Sequence, residues 1–536
     1  MPRDKTSGPG EAALRLGLGA LAGTLYFLGF AGFDLWWFAP VALVPLLEAI
    51  RRARTGRQAF AAGMVAGMVT HLGGYYWLVG TLRDFGGFSL PVALFFDAAL
   101  CSWGALSFAI LSWMLKRWWM AGGRPFPSAP IALVAIEHAY PLLFPSYLAN
   151  SFWRFPVFIQ VADIGGPLLL SGVVACFSTA LWLLVRWKAA REPFPRAAVG
   201  TAAASVLAVA AYGLYRIDAV DAAQEAAEPL RVGVVQVDMG TYQKREDPEE
   251  GHRRHIVDSL PLQEAGVDLL VWPESALVGL IPHEPGSDVR DLVLRRPDVE
   301  GEVTTPTLFG ALRMERRGGR DRYYNTAFLA DAAGRIVASY DKTYLLAFGE
   351  YIPFGETFPW LYDMSPNSGR FTPGTRISAL PFRGRRIGVM VCYEDVLPGF
   401  VRKLMSAADP HLLVNVTNDA WFGDTVQPEI HLALSVFRAV EHRRWMVRAT
   451  NSGVSAIVDP VGRVVARTGR MTRETILGTV RWRTGTTFYA VAGDWPGWLS
   501  LVAAAWAAFR MWRTGHLRFR RPRRDVGPGR LLPRRR

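Results

Sequence analysis

The feature that most constrains this sequence is a series of long apolar runs that fills the first 217 residues and returns once near the C-terminus. Short loops separate the runs, which lie at about 11–31, 34–50, 59–80, 89–115, 128–146, 162–187, 196–216 and 488–511. Most of them approach the ~20 apolar residues that a helix needs to cross ~30 Å of hydrocarbon. The pattern therefore predicts a polytopic α-helical membrane domain of about eight spans, seven before a polar region and one after it.

The charges in the loops predict the orientation of these spans. The loops at 51–57, 116–124 and 186–196 are basic, whereas the intervening loops carry little positive charge. Since basic loops stay in the cytoplasm, both termini are expected there and the polar region is expected on the opposite side of the membrane.

The C-terminal stretch 513–536 explains most of the formal net charge of +14, because it holds ten Arg against one Asp. A basic tail beside an apolar segment is typical of a cytoplasmic anchor at the membrane surface. No aromatic-interleaved basic motif or zinc spacing accompanies the tail, so nucleic acid is not expected as a partner.

The pattern of the polar region predicts a mixed α/β domain. Several of its β-rich runs are continuously apolar, as in strands that are buried on both faces of a sheet. The runs lie at 230–239, 267–276, 305–314, 323–331, 335–342, 386–395, 411–419, 452–467 and 475–482, with helical patterns at 248–265 and 427–447. The predicted division is a seven-helix transmembrane domain at 1–222, an α/β domain at 223–483, an eighth transmembrane helix at 484–512 and a basic tail at 513–536.

Three polar side chains follow predicted strands, where open α/β sheets build their sites. They are Glu274 in VWPESA, Lys342 in SYDKTYLL and Cys392 in VMVCYED. Each has an ordinary explanation when taken alone: a turn acid, a solvated strand end and a buried, inert thiol. Together they favour an active site, because a thiol nucleophile needs a base to take its proton and a cation to stabilise developing negative charge. The backbone N–H of Tyr393 is placed to help bind an oxyanion.

Cysteine usage agrees with a reactive thiol. Cys101 and Cys176 lie in apolar runs, and Cys392 is the one cysteine of the polar region. No C-x-x-C motif occurs, so neither a zinc site nor a disulfide framework is expected, and we predict no metal or other cofactor.

Four motifs, WPESA, YDKxxLxxFGEY, CYED and NDAWFGD in this order, resemble the carbon–nitrogen hydrolase (nitrilase) superfamily. Within it, a nitrilase-like domain held between seven spans and an eighth is similar to the apolipoprotein N-acyltransferase family of the bacterial inner membrane. The resemblance implies a periplasmic αββα sandwich with Glu274 as general base, Lys342 as electrostatic stabiliser and Cys392 as nucleophile.

The activity that the resemblance implies is the last step of lipoprotein maturation. An acyl chain would pass from a phospholipid donor, typically phosphatidylethanolamine, to a cysteine thioester. It would then pass to the N-terminal amine of a diacylglyceryl-cysteine apolipoprotein. A multi-pass, monomeric membrane enzyme is expected.

The resemblance also marks residues around the triad. Glu350 in FGEY matches a family acid near the site, and Tyr393 and Glu394 match residues that flank the nucleophile. Trp421 and Phe422 in NDAWFGD stand where the family has an aromatic pair close to the acyl pocket, although packed core aromatics would show the same pattern.

We expect structural roles for other side chains of the polar region. Asp395 is expected to cap the helix that follows it. Arg438 and Glu441, three residues apart on a helix, are expected to form an ion pair. The stretch 344–375, rich in aromatic residues and Gly, is either a lid over a lipid entrance or a packed surface loop.

Two other functions fit parts of the sequence. A membrane-tethered amidase or nitrilase would use the same triad with water as the acceptor, but a hydrolase of small molecules needs no platform of eight spans. A transporter or binding platform fits less well, because the spans carry few ionisable groups and the triad is intact.

Overall fold

The computed structural model describes residues 8–84, 86–365 and 367–514, so the predicted basic tail beyond residue 514 lies outside the described residues. Within them, nine α-helices precede the first strand. These are α1 (Pro9–Leu28), α2 (Ala39–Arg52), α3 (Gly56–Gly74), α4 (Leu78–Asp84), α5 (Leu90–Met120), α6 (Pro125–Ala139), α7 (Pro156–Ile159), α8 (Ala162–Ala190) and α9 (Arg196–Glu225). By length and apolar composition, four helices of this described part are able to cross a bilayer, namely α1, α5, α8 and α9.

Each of the first seven apolar runs contains one of the longer helices, but some of the eight predicted runs are interrupted. The run at 59–80 holds α3, which ends at Gly74, and the start of α4 at Leu78. The helix predicted at 128–146 ends at Ala139, because Tyr140 precedes Pro141 and adopts extended backbone (φ −81°, ψ 119°). The last predicted run is divided at Gly493, which has a left-handed φ of 59°. Its two parts are α15 (Phe488–Ala492) and α16 (Trp495–Arg513); α10 to α14 lie between the strands and are given below.

Small residues bring the central helices together. A Cβ atom at Gly19 of α1 would lie 2.5 Å from the carbonyl oxygen of Ala62 in α3, and one at Gly67 of α3 would lie 2.5 Å from the Cα of Ala105 in α5. In apolar surroundings helices associate through such close backbone approach, because lipid and side chain are equally apolar. α3 therefore lies at the centre of the helical region, between α1 and α5.

Two six-stranded sheets form the α/β region. The strands are β1 (Pro229–Gln236), β2 (Leu269–Val271), β3 (Thr307–Arg317), β4 (Arg320–Ala330), β5 (Ile336–Asp341), β6 (Ala379–Phe382), β7 (Arg385–Val391), β8 (Leu412–Thr417), β9 (Met446–Thr450), β10 (Ala456–Val458), β11 (Val464–Arg467) and β12 (Glu474–Arg481). The strand orders are β12-β1-β2-β3-β4-β5 and β11-β10-β9-β8-β7-β6. Strands β1, β2 and β3 run parallel, as do β7, β8 and β9.

Further helices lie between the strands along the chain, and some of them cover the outer faces of the two sheets. They are α10 (Thr241–Glu246), α11 (Pro248–Glu264), α12 (Trp360–Met364), α13 (Pro398–Ala408) and α14 (Gln427–His442). Val234 of β1 shares a core with Val389 of β7, whereas the next residue, Val235, packs with Ile256 of α11. Strands buried on both faces explain the continuously apolar runs, and the αββα sandwich is confirmed.

The sequence prediction missed two strands of the second sheet, β6 and β9. The helix predicted over 427–447 ends at His442, because Arg443 adopts left-handed backbone with φ 51°. The chain then enters β9, which lies between β8 and β10.

A buried ion-pair cluster joins the helical region to the α/β region. Asp163 of α8 accepts two hydrogen bonds from the guanidinium of Arg443, at 2.6 and 3.0 Å. The same carboxylate accepts from Tyr212 at 2.7 Å and from Arg216 at 3.0 Å, both in α9. Three donors on one buried carboxylate hold the end of α14 against α8 and α9.

Candidate active site

The structure brings Glu274, Lys342 and Cys392 together at one end of the two sheets. Lys342 and Cys392 come directly after β5 and β7, and Glu274 follows β2 by three residues. The Nζ atom of Lys342 lies 3.6 Å from Oε1 of Glu274. Cys392 has a left-handed φ of 51°, a strained backbone that turns the chain sharply out of β7.

Glu350 completes a buried polar cluster, as the sequence predicted for an acid near the site. Its Oε2 atom lies 2.7 Å from Nζ of Lys342. Asn325 of β4 donates one amide hydrogen to Glu274 at 2.6 Å and the other to Glu350 at 2.8 Å. Asn325 was not predicted as a site residue. It directly precedes the apolar run TAFLA, and a polar residue next to a buried strand segment indicates a buried polar contact.

The charges of this cluster set the protonation states. Burial and the carboxylate of Glu274 raise the pKa of the Cys392 thiol, and Lys342 only partly opposes this. Burial likewise raises the pKa of Glu274. Burial disfavours the ammonium of Lys342, but Glu350 and Glu274 outweigh it and raise the pKa of that lysine. At neutral pH the site thus holds a protonated Cys392 thiol beside the charged ammonium of Lys342.

Glu274 is the base nearest to this thiol. Its Oε1 atom is held by Asn325, whereas its Oε2 atom is buried and has no hydrogen-bond partner among the residues that the structure describes. An unpaired buried carboxylate oxygen is costly unless something donates to it. The arrangement suits proton transfer from sulfur to Oε2 during nucleophilic attack.

Glu394 lies behind the site and is fully buried. It holds the segment after Lys342 to the strand that carries Cys392. Its carboxylate accepts hydrogen bonds at 2.7–3.1 Å from the hydroxyl of Tyr340 and from the backbone N–H groups of Thr343, Tyr344 and Val391. The side chain of Glu394 therefore fixes the relative position of two site residues.

A cavity of about 780 Å³ opens in front of Cys392. The α/β region contributes Glu274, Lys342, Glu350, Trp421 and Phe422 to its lining, and the helical region contributes Trp77, Leu78, Leu82, Phe88, Phe96, Leu100 and Phe144. The cavity is thus polar at the strand ends and apolar along the helices.

The aromatic pair and Tyr393 connect the site to the helical region. The ring of Phe422 packs 5.1 Å from that of Trp77, and Trp421 lines the cavity. The hydroxyl of Tyr393 donates to the backbone carbonyl of Leu143, and its ring packs on Phe144. Phe422 is therefore both a packed aromatic and a cavity residue, so the two readings of this pair do not exclude each other.

Described residues of the stretch 344–375 also line the cavity. Leu346, Ile352 and Leu361 line the cavity, while Phe354 is 76% exposed. An exposed aromatic beside an apolar cavity fits a lipid entrance. Movement of this segment as a lid stays a prediction.

The expectation that Asp395 caps the following helix was wrong. Helix α13 begins after Leu397 with no side-chain cap. Asp395 instead accepts from Nε2 of His431 at 2.8 Å and from Arg448 at 2.7 Å. Asp419 accepts from Nδ1 of the same His431 at 2.8 Å and from Arg448 at 3.0 Å. These four side chains form a buried charge network directly behind Cys392.

The predicted ion pair between Arg438 and Glu441 is confirmed. The Nη2 atom of Arg438 lies 2.6 Å from Oε1 of Glu441, and both side chains are buried. The pair lies in α14, away from the residues that line the cavity.

Comparisons with known proteins match both parts of the chain. Residues 22–180 match the family described as apolipoprotein N-acyltransferase N-terminal domain, and residues 231–487 match the carbon–nitrogen hydrolase family. The apolipoprotein N-acyltransferase of Geobacter metallireducens is 32% identical over 497 residues, which cover 91% of this chain and 93% of that protein. The one from Azotobacter vinelandii is 32% identical over 508 residues, with 92% and 94% covered. The one from Ralstonia nicotianae is 30% identical over 504 residues, with 91% and 92% covered.

Proposed function

Because the chain belongs to the apolipoprotein N-acyltransferase family, we propose that it transfers an acyl chain from a phospholipid to the N-terminal amine of a diacylglyceryl-cysteine apolipoprotein. The observation that carries this proposal is the cavity in front of Cys392, with a thiol, a carboxylate and an ammonium at one end and apolar walls from the helices. An acyl chain needs such walls, whereas a small polar substrate does not.

In the first step, the sulfur of Cys392 attacks the sn-1 ester carbonyl carbon of a phospholipid such as phosphatidylethanolamine. The thiol proton passes to Glu274 as the S–C bond forms. The Lys342 ammonium and the backbone N–H of Tyr393 stabilise the resulting oxyanion. The ester C–O bond then breaks, Glu274 returns the proton to the leaving glycerol oxygen, and a thioester and a lysophospholipid remain.

In the second step, the amine of the apolipoprotein attacks the thioester carbon. Glu274 takes a proton from the attacking nitrogen, the C–S bond breaks, and the proton passes to the sulfur of Cys392. The products are an amide and the regenerated thiol. Apolar cavity walls exclude water during this sequence and so suppress hydrolysis of the thioester.

Glu350 and Asn325 have supporting roles in this mechanism. Glu350, 2.7 Å from Lys342, keeps the ammonium charged and fixed in position. Asn325 orients Glu274 through its Oε1 atom, which leaves Oε2 for the thiol. Such preorganised charges lower the barrier because they need no rearrangement as the oxyanion forms.

The helical region supports a site at membrane level. We infer eight spans across the bacterial inner membrane, at α1, α2, α3, α5, α6, α8, α9 and α16. The transmembrane domain covers residues 1–222 with an eighth helix within 484–512, the catalytic domain 223–483 is periplasmic, and both termini, including the tail 513–536, are cytoplasmic. A reporter enzyme fused after residue 228 should be active only in the exported compartment, and cytoplasmic activity would overturn this topology.

Trapping the acyl-enzyme tests the chemistry. Detergent-purified protein incubated with a phospholipid labelled in its sn-1 chain should acquire a label that hydroxylamine removes. Cys392→Ala should acquire none. Cys176→Ala, at a half-buried cysteine of α8, is the matched control and should label like the wild type. Equal labelling of Cys392→Ala would refute the assignment of the nucleophile.

Adding a diacylated lipopeptide to the labelled enzyme separates the transferase from a membrane-tethered hydrolase. The proposal expects labelled amide on the lipopeptide. Release of labelled fatty acid alone would show that water is the acceptor and that the enzyme is a hydrolase.

A further inference from the structure

Lys244 is a buried cation that the chemistry above does not use. It lies in α10, lines the same cavity and is only 5% exposed. Its Nζ atom donates to the backbone carbonyl of Ser275 at 2.9 Å. Ser275 directly follows Glu274 and adopts left-handed backbone with φ 51°, so Lys244 is anchored one residue from the general base.

Lys244 differs from Lys342 in its charge partners. Lys342 has two carboxylates within 4 Å, those of Glu274 and Glu350. Lys244 forms no ion pair with any carboxylate within the described ranges 8–84, 86–365 and 367–514. Burial consequently lowers the pKa of Lys244 to about 7.

A buried ammonium without a carboxylate in contact loses its proton more easily, and an anionic ligand beside it stabilises the charged form. The charged residues that line the described cavity are Lys244, Glu274, Lys342 and Glu350. Glu274, Lys342 and Glu350 pair within 4 Å, and their two carboxylates and one ammonium leave one negative charge, which Lys244 balances from a greater distance. Lys244 is the fourth: its Nζ atom donates to one backbone carbonyl, and an ammonium has three donors, so it can also donate to an anionic group inside the cavity.

We propose that Lys244 binds the phosphate of the phospholipid donor, an inference that rests on the proposed function. In a glycerophospholipid the reacting ester and the phosphodiester are attached to opposite ends of a three-carbon glycerol unit. Lys244 and Cys392 line the same cavity, and Lys244 is anchored at the carbonyl of Ser275, the residue after Glu274. The diacylglyceryl-cysteine acceptor has no phosphate, so Lys244 acts on the donor and not on the acceptor.

Binding of non-hydrolysable lipids tests this without any chemical step. The probes are a dialkyl ether glycerophosphoethanolamine and the matching uncharged dialkylglycerol, titrated into detergent-purified full-length protein. Lys244→Met should raise the Kd of the phosphate-bearing lipid about 10- to 100-fold, as expected for loss of a charge-assisted hydrogen bond. It should leave the Kd of dialkylglycerol unchanged. Lys244→Arg should retain most of the affinity for the phosphate-bearing lipid.

Lys403→Met is the matched control, because Lys403 is exposed and contacts the hydroxyl of Tyr344 outside the cavity lining. It should bind both probes like the wild type. Equal weakening of both probes in Lys244→Met, or no weakening of either, would overturn the proposal. The acyl-enzyme assay is independent: absence of a hydroxylamine-sensitive label in the wild type refutes the proposed function, whatever the ether lipids show.

The same variant also separates the two half-reactions. With phosphatidylethanolamine as donor, acyl-enzyme formation in Lys244→Met should slow about 10- to 100-fold at subsaturating lipid. Transfer from the isolated acyl-enzyme to a lipopeptide should keep its wild-type rate. Slowing of the second step instead would indicate that Lys244 acts by positioning Glu274, which contradicts phosphate binding.

Discussion

Replacing His431 tests the charge network behind Cys392. The two ring nitrogens of His431 each lie 2.8 Å from a carboxylate oxygen, one of Asp395 and one of Asp419. Because both nitrogens face acceptors, both donate and the ring is an imidazolium. Burial and the nearby Arg448 oppose ionisation, but the two carboxylates outweigh them and raise the pKa of His431.

The expected loss of stability in His431→Gln follows from the balance of charges in the network. Two carboxylates face two cations, His431 and Arg448, and all four side chains are buried. His431→Gln removes one cation and leaves a buried carboxylate without its partner. Loss of one member of a buried ion pair typically costs about 3–5 kcal/mol. At about 2–4 °C per kcal/mol for a domain of this size, Tm should fall by roughly 6–20 °C.

The stabilisation that His431 provides is expected to decrease as pH rises. A pKa raised above the ~6.5 of an unfolded histidine means that the stabilisation is complete below that pH and is lost as pH rises through the folded pKa. The difference in Tm between wild type and His431→Gln should therefore be largest near pH 6 and shrink at alkaline pH. Acyl-enzyme formation should fall in parallel, since Asp395 lies three residues after Cys392.

The assay is thermal unfolding of detergent-purified protein at one scan rate, from pH 6 to pH 9. Ser435→Ala is the matched control, because it removes a neutral donor to the same Asp395. It should cost about 1 kcal/mol at every pH. A His431→Gln difference that stays constant from pH 6 to pH 9 would refute the reasoning, because it would mean that His431 is neutral in the folded protein.

Three further substitutions test other parts of the structure. Asn325→Leu should slow acyl-enzyme formation about 10- to 100-fold, because both site acids lose a donor, and should lower the free energy of unfolding by no more than about 3 kcal/mol. An unchanged labelling rate would contradict the orienting role of Asn325. Asp163→Ala should lower the free energy of unfolding by about 3–5 kcal/mol, read as a fall in Tm, because Arg443 is left as an unpaired buried cation; an unchanged Tm would contradict the cluster at this junction. Gly67→Leu should abolish monodisperse folded protein in size-exclusion chromatography, because its Cβ meets α5 at 2.5 Å, whereas Gly200→Leu, with nothing within 4 Å of its Cβ, should behave like the wild type.

The fold was largely predictable because burial leaves a periodic signal in the sequence. Apolar runs of membrane length mark helices whatever they pack against. Continuously apolar short runs mark strands covered on both faces. The two missed strands, β6 and β9, lacked this local signal: β6 has only four residues, and β9 carries the buried Arg448, whose charge is compensated by residues far away in sequence.

The candidate site was predictable because three residues that each have an ordinary explanation alone form a chemically complete set together. A thiol, an acid and a lysine, each after a predicted strand, were sufficient to propose an active site. Asp395 was assigned wrongly because a helix follows it, and local sequence alone favours a cap. Its partners, His431 and Arg448, come from α14 and β9, and no spacing along the chain brings them together.

By itself, the sequence determined which segments are apolar enough to be helices or buried strands and which three side chains are candidates for the chemistry, because both depend on residue type and local pattern. Only the tertiary structure decided what surrounds those side chains: that Asn325 bridges Glu274 and Glu350, that the helices line the cavity, and that Lys244 lines it with no carboxylate of the described residues within 4 Å. Electrostatic energies depend on distance in space and on burial, and neither quantity is a property of the chain before it folds.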